Sequence, residues 1–217
     1  MFYEIKNNFN SSKMSNGEVV SMKINRLSPD LYEIEDFITV DQQKEVLDFA
    51  SGLDEEQWWI SFDDEYKKGL WYGKQYNGQR PLVFEQIDDQ VNNLFETLQY
   101  VGKVALQRYQ KGNAIQEHRD YWLKDEPYHI RFGICIYYND EYAGGELEYS
   151  ELGIVHKPKA RSLVMHGGNI LHKSLAVLDD VPRYFSTCFV RGSKDSPVLL
   201  NKELFNEIEE TDGSTYN

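Results

Sequence analysis

The segment IRFGICIYYN, residues 130–139, is a run of β-branched and aromatic side chains with a single arginine near its start. This composition, followed directly by Asp140, predicts a β-strand that ends in a turn. Similar short segments lie before and after it, separated by Gly, Asn, Asp and Pro: KVALQRYQ (103–110), GGELEY (144–149), RSLVMH (161–166) and RYFSTCFVRG (183–192). Many strands at such spacing predict a β-sandwich or barrel with helices packed on one side.

The N-terminal half carries the helices and a first set of strands. FYEI (2–5) and EVVSMKI (18–24) predict a strand pair around a polar turn. IEDFI (34–38) predicts a further strand, and the helix after it is expected to begin with Asp41 as its N-cap. PLVFEQIDDQVNNLFETLQ (81–99) repeats apolar residues at the helical period, which predicts a second helix.

Composition limits the class of protein. The 217 residues are 41% hydrophobic and 14% aromatic, which predicts one globular domain with a sizeable core. The net charge of −13 disfavours non-specific binding to nucleic acid and to anionic lipid. Cys135 and Cys188 are the only cysteines, which argues against a disulfide scaffold and for a reducing compartment. No signal pattern or membrane-spanning run is found, so we expect a soluble cytoplasmic protein, of an oligomeric state that the sequence leaves open.

The stretch QEHRDYW (116–122) places two metal-capable side chains, His118 and Asp120, two residues apart. On an extended segment such residues lie on the same side, with Cα atoms about 6–7 Å apart. The triplet alone is a weak signal and is equally compatible with a surface turn. A histidine from another strand would complete a two-histidine, one-carboxylate site of the kind that leaves positions open on Fe(II). Both His166 and His172 are candidates for that place.

A strand beyond His172 carries an unexpected charge. In VPRYFSTCF (181–189), alternation places Arg183, Phe185, Thr187 and Phe189 on one face. An arginine on the inner face of an apolar strand is costly to bury without a partner. A fixed guanidinium there could bind a dicarboxylate through two hydrogen bonds. An ion pair of Arg183 with Asp179 or Asp180 is the alternative.

Taken together, these segments resemble the Fe(II)/2-oxoglutarate dioxygenases, particularly the prolyl 4-hydroxylase branch that includes the oxygen-sensing prolyl hydroxylases. The matching segments follow the family order at about family spacing: RYQKGNAIQEHRD (108–120), RFGICIYYND (131–140), GGELEY (144–149), KPKARSLVMHGGNILH (157–172) and RYFSTCFV (183–190). The resemblance spans roughly the C-terminal half, and IEDFITVDQQKEVLDFA (34–50) resembles the opening of this branch more loosely.

The resemblance implies a mainly β fold of the α+β type, with a double-stranded β-helix, or jelly-roll, core and helices packed on one sheet. Residues 1–217 would form a single dioxygenase domain. Within it, 1–102 would supply N-terminal strands and supporting helices, 103–192 the jelly-roll core with the metal site, and 193–217 a C-terminal tail.

The resemblance also implies roles for individual residues. His118, Asp120 and His172 resemble the three metal ligands. The residues that would bind 2-oxoglutarate are Arg183 and Tyr138 at its far carboxylate, Thr187 as a further contact there, and Tyr109 near its metal-chelating end. The residues that would contact the substrate are Arg131, Phe189 and, in the aromatic stretch WWISFDDEYKKGLWY (58–72), Trp71. The spacing from His172 to Arg183 is slightly longer than the family usually shows, which indicates an insertion in the intervening loop.

The implied cofactor is Fe(II), with 2-oxoglutarate and O2 as cosubstrates, and ascorbate is a further cofactor of such enzymes. The implied reaction couples oxidative decarboxylation of 2-oxoglutarate to hydroxylation of a substrate. A prolyl residue in a peptide or protein is the favoured substrate, because the acidic charge and the pattern of 131–140 with 144–149 favour protein hydroxylases over nucleic-acid demethylases. Two alternatives stay open: the same chemistry on a free amino acid, small metabolite or nucleobase, and a jelly-roll binding protein without catalysis.

Overall fold

The computed structural model of the chain describes residues 12–13, 19–20, 22–60, 70–72, 80–96, 100–120, 128–193 and 198–209. The strands are β1 (Ser12–Lys13), β2 (Val19–Val20), β3 (Lys23–Ser28), β4 (Leu31–Glu35), β5 (Trp58–Ile60), β6 (Leu70–Tyr72), β7 (Tyr100–Val101), β8 (Ala105–Tyr109), β9 (Ile115–His118), β10 (Tyr128–Tyr137), β11 (Leu147–Tyr149), β12 (Ile154–His156), β13 (Leu163–Gly167), β14 (His172–Ser174) and β15 (Arg183–Ser193). The α-helices are α1 (Val40–Ser51), α2 (Leu82–Asn92) and α3 (Lys202–Glu209), and short 3-10 turns lie at Glu55–Gln57 and Ser150–Leu152.

Two antiparallel sheets face each other. The larger has the order β3-β4-β13-β10-β15-β8-β6-β5, with β7 also pairing with β15, and the smaller has the order β12-β11-β14-β9. Most neighbouring strands are not consecutive in the chain, so the connections cross from one sheet to the other, as in a jelly-roll. The predicted mainly β fold with a double-stranded β-helix core is thus confirmed.

Strand β10, which contains most of the segment 130–139, runs through the middle of the larger sheet between β13 and β15. Alternate side chains of a strand point to opposite faces. Ile134 and Ile136 belong to the core cluster that also contains helix residues, whereas Tyr137 belongs to the cluster between the sheets. Because both faces of this strand are covered, its part from Phe132 to Tyr137 is apolar and shows no alternation of polar and apolar residues.

The helices cover the outer face of the larger sheet. Val46 of α1 and Phe84, Ile87 and Val91 of α2 are buried in the same cluster as Ile134. The helical period predicted from residue 81 onward is therefore confirmed, although the helix ends at Asn92. None of the described helices is both long enough and apolar enough to span a lipid bilayer.

Local details of the N-terminal half differ from the predictions. Strand β3 pairs with β4 across a tight turn, in which Asp30 has a φ of 58°, whereas the predicted strand 18–24 is divided between β2 and β3. Residues 2–5 lie outside the described residues. Helix α1 begins two residues earlier than predicted: Thr39, not Asp41, is the N-cap, because its hydroxyl accepts from the backbone N–H of Gln42 at 3.1 Å.

Candidate metal and cosubstrate site

The predicted ligands His118, Asp120 and His172 meet between the two sheets. Strands β9 and β14 are neighbours in the smaller sheet, and their register pairs His118 directly with His172. One ligand atom from each of the three side chains lies within 4.8 Å of the others. Two imidazoles and one carboxylate are a donor set that suits Fe(II) and leaves further coordination positions open. This donor set therefore fits the metal that the sequence implies.

Backbone carbonyl groups fix the orientation of both ligand imidazoles. Nδ1 of His118 lies 2.7 Å from the carbonyl oxygen of Gln116, and Nδ1 of His172 lies 2.9 Å from that of Ile170. A ring whose Nδ1–H donates to a carbonyl keeps its lone pair at Nε2. Both Nε2 atoms are thus available as metal ligands, and Nε2 of His118 lies 3.5 Å from Oδ1 of Asp120.

The ionisation states also suit metal binding. Burial alone would raise the pKa of the Asp120 carboxyl, but the neighbouring imidazoles of His118 and His166 outweigh it and hold this pKa well below its ordinary value. Burial lowers the pKa of His172 to about 3, and the adjacent His166 adds to the effect. A carboxylate and a neutral imidazole at neutral pH are the forms that coordinate a cation.

Arg183 is buried beside the same site. Its side chain is among the largest fully buried ones, with 1% of the residue exposed. Nη1 donates to the carbonyl oxygen of Gly145 at 2.7 Å and to Oγ of Ser174 at 2.8 Å. The rings of Phe185 and Tyr109 lie 4.4 and 4.7 Å from Cζ, which compensates part of the cost of burying the charge.

The guanidinium lacks an anionic partner among the described residues. Nε of Arg183 is buried without a hydrogen-bond partner there, and none of the described carboxylates forms an ion pair with the side chain. The alternative pairing is not observed: Asp180 lies 3.2 Å from Lys111, and Asp179 accepts from the backbone N–H groups of Ala143 and Val181. A buried cation in this state favours an anionic ligand, because an unpaired buried charge is costly.

A cavity of about 350 Å³ connects the metal ligands to Arg183. Ser174, which accepts a hydrogen bond from Arg183, follows His172 by two residues on β14, which is roughly 6–7 Å between Cα atoms. A five-carbon dicarboxylate is long enough to bind a metal at one end and the guanidinium at the other. The geometry of the cavity therefore fits 2-oxoglutarate.

The structure places Tyr137, rather than the predicted Tyr138, beside Arg183. Tyr137 lines the cavity with its ring 5.8 Å from Cζ of Arg183, and its buried hydroxyl has no hydrogen-bond partner among the described residues. Tyr138 lies on the opposite face of the sheet, in the cluster with the helices, and its hydroxyl donates to Ser186 at 2.8 Å. The adjacent tyrosines alternate between the two faces, and only Tyr137 can reach a ligand in the cavity.

These two tyrosines provide a matched test. We expect Tyr137→Phe to raise the KM for 2-oxoglutarate by about 10-fold or more, because it removes a hydroxyl that can donate to a carboxylate. Tyr138→Phe should leave this KM unchanged and lower the free energy of unfolding by about 1 kcal/mol, through loss of the bond to Ser186. Steady-state kinetics and urea unfolding of both variants would check this, and the reverse result would restore Tyr138 to the site.

Of the other predicted site residues, some line the cavity and some do not. Tyr109, which the resemblance places near the metal-chelating end of 2-oxoglutarate, is instead buried beside Arg183 and is not among the residues lining the cavity. Burial raises its pKa, so its hydroxyl stays protonated. Thr187 and Phe189 both line the cavity. Arg131 is half-buried and is not one of the residues lining the cavity. For Trp71 the structure describes the backbone, in β6, but not the side chain.

Several cavity residues were not predicted. Besides Tyr137, they include Ser174, Gln107, whose side-chain amide donates to the hydroxyl of Thr187, and Arg191. Arg191 could have been found from the sequence, because it continues the alternation of Thr187 and Phe189 along β15. Gln107 lies on another strand, β8, and only the pairing of β8 with β15 brings it to Thr187.

Comparison with solved structures gives matches of moderate similarity over most of the chain. A prolyl hydroxylase from Trichoplax adhaerens, in complex with an oxygen degradation domain peptide of hypoxia inducible factor, matches with a TM-score of 0.59 and 14% identity, over 86% of this chain and 88% of that one. A viral collagen prolyl hydroxylase from Paramecium Bursaria Chlorella virus-1, in a 2-oxoglutarate complex, matches with a TM-score of 0.55 and 14% identity, over 75% and 96%.

HygX from Streptomyces hygroscopicus, with nickel, 2-oxoglutarate and hygromycin B bound, matches with a TM-score of 0.52 and 12% identity, over 76% and 84%. No family model and no curated protein sequence matches the chain. At these identities the likeness concerns the fold. The chain therefore has the double-stranded β-helix fold of the prolyl hydroxylases and of other 2-oxoglutarate–Fe(II) oxygenases.

Proposed function

We propose that this protein is an Fe(II)- and 2-oxoglutarate-dependent hydroxylase and that its substrate is a prolyl residue in a peptide or protein. One observation carries the proposal: the cavity that contains the ligand atoms of His118, Asp120 and His172 also contains a buried arginine without a carboxylate partner among the described residues. A site for a cation and a site for an anion in one cavity are what a metal-chelating dicarboxylate needs.

The residues of the chain have separate tasks in this proposal. His118, Asp120 and His172 hold the iron, which supplies oxidative chemistry with 2-oxoglutarate and O2. Arg183 and Tyr137 bind the far carboxylate of 2-oxoglutarate, and the neutral Tyr109 lies beside them. The apolar side chains around Arg183 exclude water, which strengthens its pairing with the carboxylate. Together they orient the cosubstrate and leave the other end of the cavity for the substrate.

The end of the cavity left for the substrate is formed by the last part of β15. Thr187, Phe189 and Arg191 line the cavity beyond Arg183, and Gly133 is the register partner of Phe189. A flat aromatic side chain beside a metal site can pack against the ring of a proline. A peptide substrate is also supported by the Trichoplax adhaerens structure, in which a prolyl hydroxylase holds a peptide. Phe189 is thus the residue we expect to contact the prolyl ring.

The second candidate function is the same chemistry on a small molecule. It is supported by the match to HygX, a protein of similar fold whose structure has hygromycin B bound. The prolyl substrate has more support, because prolyl hydroxylases from three sources show this fold. The two candidates differ in the substrate and share the metal site and the cosubstrate site.

The substrate can be identified by mass. The purified protein, with Fe(II), 2-oxoglutarate and ascorbate, would be incubated with a library of proline-containing peptides and a matched library in which alanine replaces proline. We expect succinate release that depends on the proline library, together with the mass gain of one oxygen atom on prolyl residues. Succinate release without any modified peptide would reject the prolyl substrate and favour a small molecule, and the absence of succinate under all conditions would reject the oxygenase.

A further inference from the structure

His166 is the one histidine close to the metal ligands that the proposed function leaves without a task. It lies on β13, and 2% of the residue is exposed. Its Nε2 atom lies 3.1 Å from Oδ2 of Asp120. An ionised carboxylate only accepts hydrogen bonds, so Nε2 of His166 carries the proton and donates it.

The two oxygens of Asp120 face different partners. Oδ1 lies 3.5 Å from Nε2 of His118, on the side of the ligand set, whereas Oδ2 points to His166. A hydrogen bond to one carboxylate oxygen leaves the other oxygen as the ligand. Asp120 is thereby prepared to bind a cation through Oδ1 alone.

Neighbouring residues hold His166 and Asp120 in place. The ring of His166 packs on that of His172 with a centroid distance of 4.1 Å, and the ring of Tyr149 lies at 5.9 Å. Across the sheet, Gly133 is the register partner of His166. A Cβ atom at Gly133 would lie 2.6 Å from Nε2 of His166 and still closer to Oδ2 of Asp120, so the pair occupies space that a side chain would fill.

We propose that His166 is a positioning residue, which holds Asp120 as a one-oxygen metal ligand and keeps a coordination position open. This inference rests on the proposed metal site. A carboxylate released from His166 could turn and bind the cation through both oxygens, which would occupy a position that the cosubstrate or O2 needs. Loss of such an outer hydrogen bond typically weakens metal binding or activity by about 10–100-fold.

Co(II) alone is a suitable probe, because its visible absorption reports both affinity and coordination. His166→Phe removes the donor and keeps an aromatic ring against His172, whereas His166→Gln places an amide N–H near the position of Nε2. We expect His166→Phe to weaken Co(II) binding by about 10–100-fold and to change the absorption spectrum. We expect His166→Gln to restore most of the Co(II) affinity and most of the wild-type absorption spectrum.

Three further variants guard against effects on folding. His156 forms a similar pair, with Nε2 3.1 Å from Oε1 of Glu33, outside the cavity, so His156→Phe is the matched control and should leave Co(II) binding unchanged. Gly133→Ala should displace the pair of Asp120 and His166 and weaken Co(II) binding. Gly102→Ala, where a Cβ would make only ordinary contacts at 3.5 Å, should not.

The outcomes separate this inference from the proposed function. If the wild-type protein fails to bind Co(II), both fail. If the wild type binds Co(II) and His166→Phe binds it with the same affinity and spectrum, the inference fails and the metal site stands. A lower coordination number in both His166→Phe and His166→Gln would make His166 itself a ligand and overturn the positioning role.

Discussion

Fe(II) and 2-oxoglutarate added together under argon are expected to raise the melting temperature of the wild-type protein, and His118→Ala is expected to abolish this rise. A ligand at 100 times its Kd stabilises the folded state by about 2.7 kcal/mol, which for a chain of this size corresponds to roughly 5–10 °C. In the proposed site, loss of His118 would remove one of three metal ligands, and the cosubstrate would lose the metal that it chelates. Succinate release should fall below detection in the same variant.

The control for this experiment is His156→Ala. This substitution also removes an imidazole paired with a buried carboxylate, that of Glu33, but at a place outside the cavity. It should lower the melting temperature of the protein without ligands and leave the ligand-induced rise intact. A rise that persists in His118→Ala would place the metal elsewhere, and the absence of any rise in the wild type would remove the basis of the oxygenase proposal.

Replacement of Arg183 is expected to separate cosubstrate binding from metal binding. Arg183→Gln removes the cation at the far end of the cavity, and a bound carboxylate would then be buried without its partner. Truncating one member of a buried charge pair costs about 2–5 kcal/mol, so the KM for 2-oxoglutarate should rise by roughly 30-fold to more than 1,000-fold. Co(II) affinity should stay within about twofold, because Arg183 is not a ligand.

Arg183→Lys refines this experiment. Lysine keeps the charge but loses the planar pair of donors that matches a carboxylate, so we expect an intermediate KM. Arg161→Gln is the control, because Arg161 is paired with Asp36 at 2.5 Å and does not line the cavity. Kinetics with varied 2-oxoglutarate and titration with Co(II) give the two readouts. An unchanged KM in Arg183→Gln would contradict the assignment of the cosubstrate site.

The general fold could be predicted because its signals are local. The strands from residue 103 onward show β-branched and aromatic residues between turn residues, and α2 shows a clear apolar period at Phe84, Ile87 and Val91. The predicted N-cap of α1, Asp41, was wrong because Thr39 and Asp41 both lie near the start of the helix and are both residue types that can cap one. The tertiary packing places Thr39 at the cap position, where Gln42 completes a capping box.

The candidate metal ligands could be identified because their spacing and order in the chain carry the signal. The tyrosine that faces the cavity beside them could not be identified from the sequence. In β10 both faces are buried, so the sequence shows no alternation that would tell which of Tyr137 and Tyr138 faces the cavity. The irregular pairing between Ile130 and Phe132 further disturbs any count of alternation from the start of the strand.

The sequence by itself determined the class of fold, the residues able to bind a cation and the arginine able to bind an acid, because residue type and spacing are properties of the chain. Only the tertiary structure decided which of these side chains meet. The register between β9 and β14 brings His118 to His172, and the register between β10 and β13 puts His166 over Gly133 beside Asp120. Contacts of this kind depend on how distant strands are paired and faced, which a linear pattern does not encode.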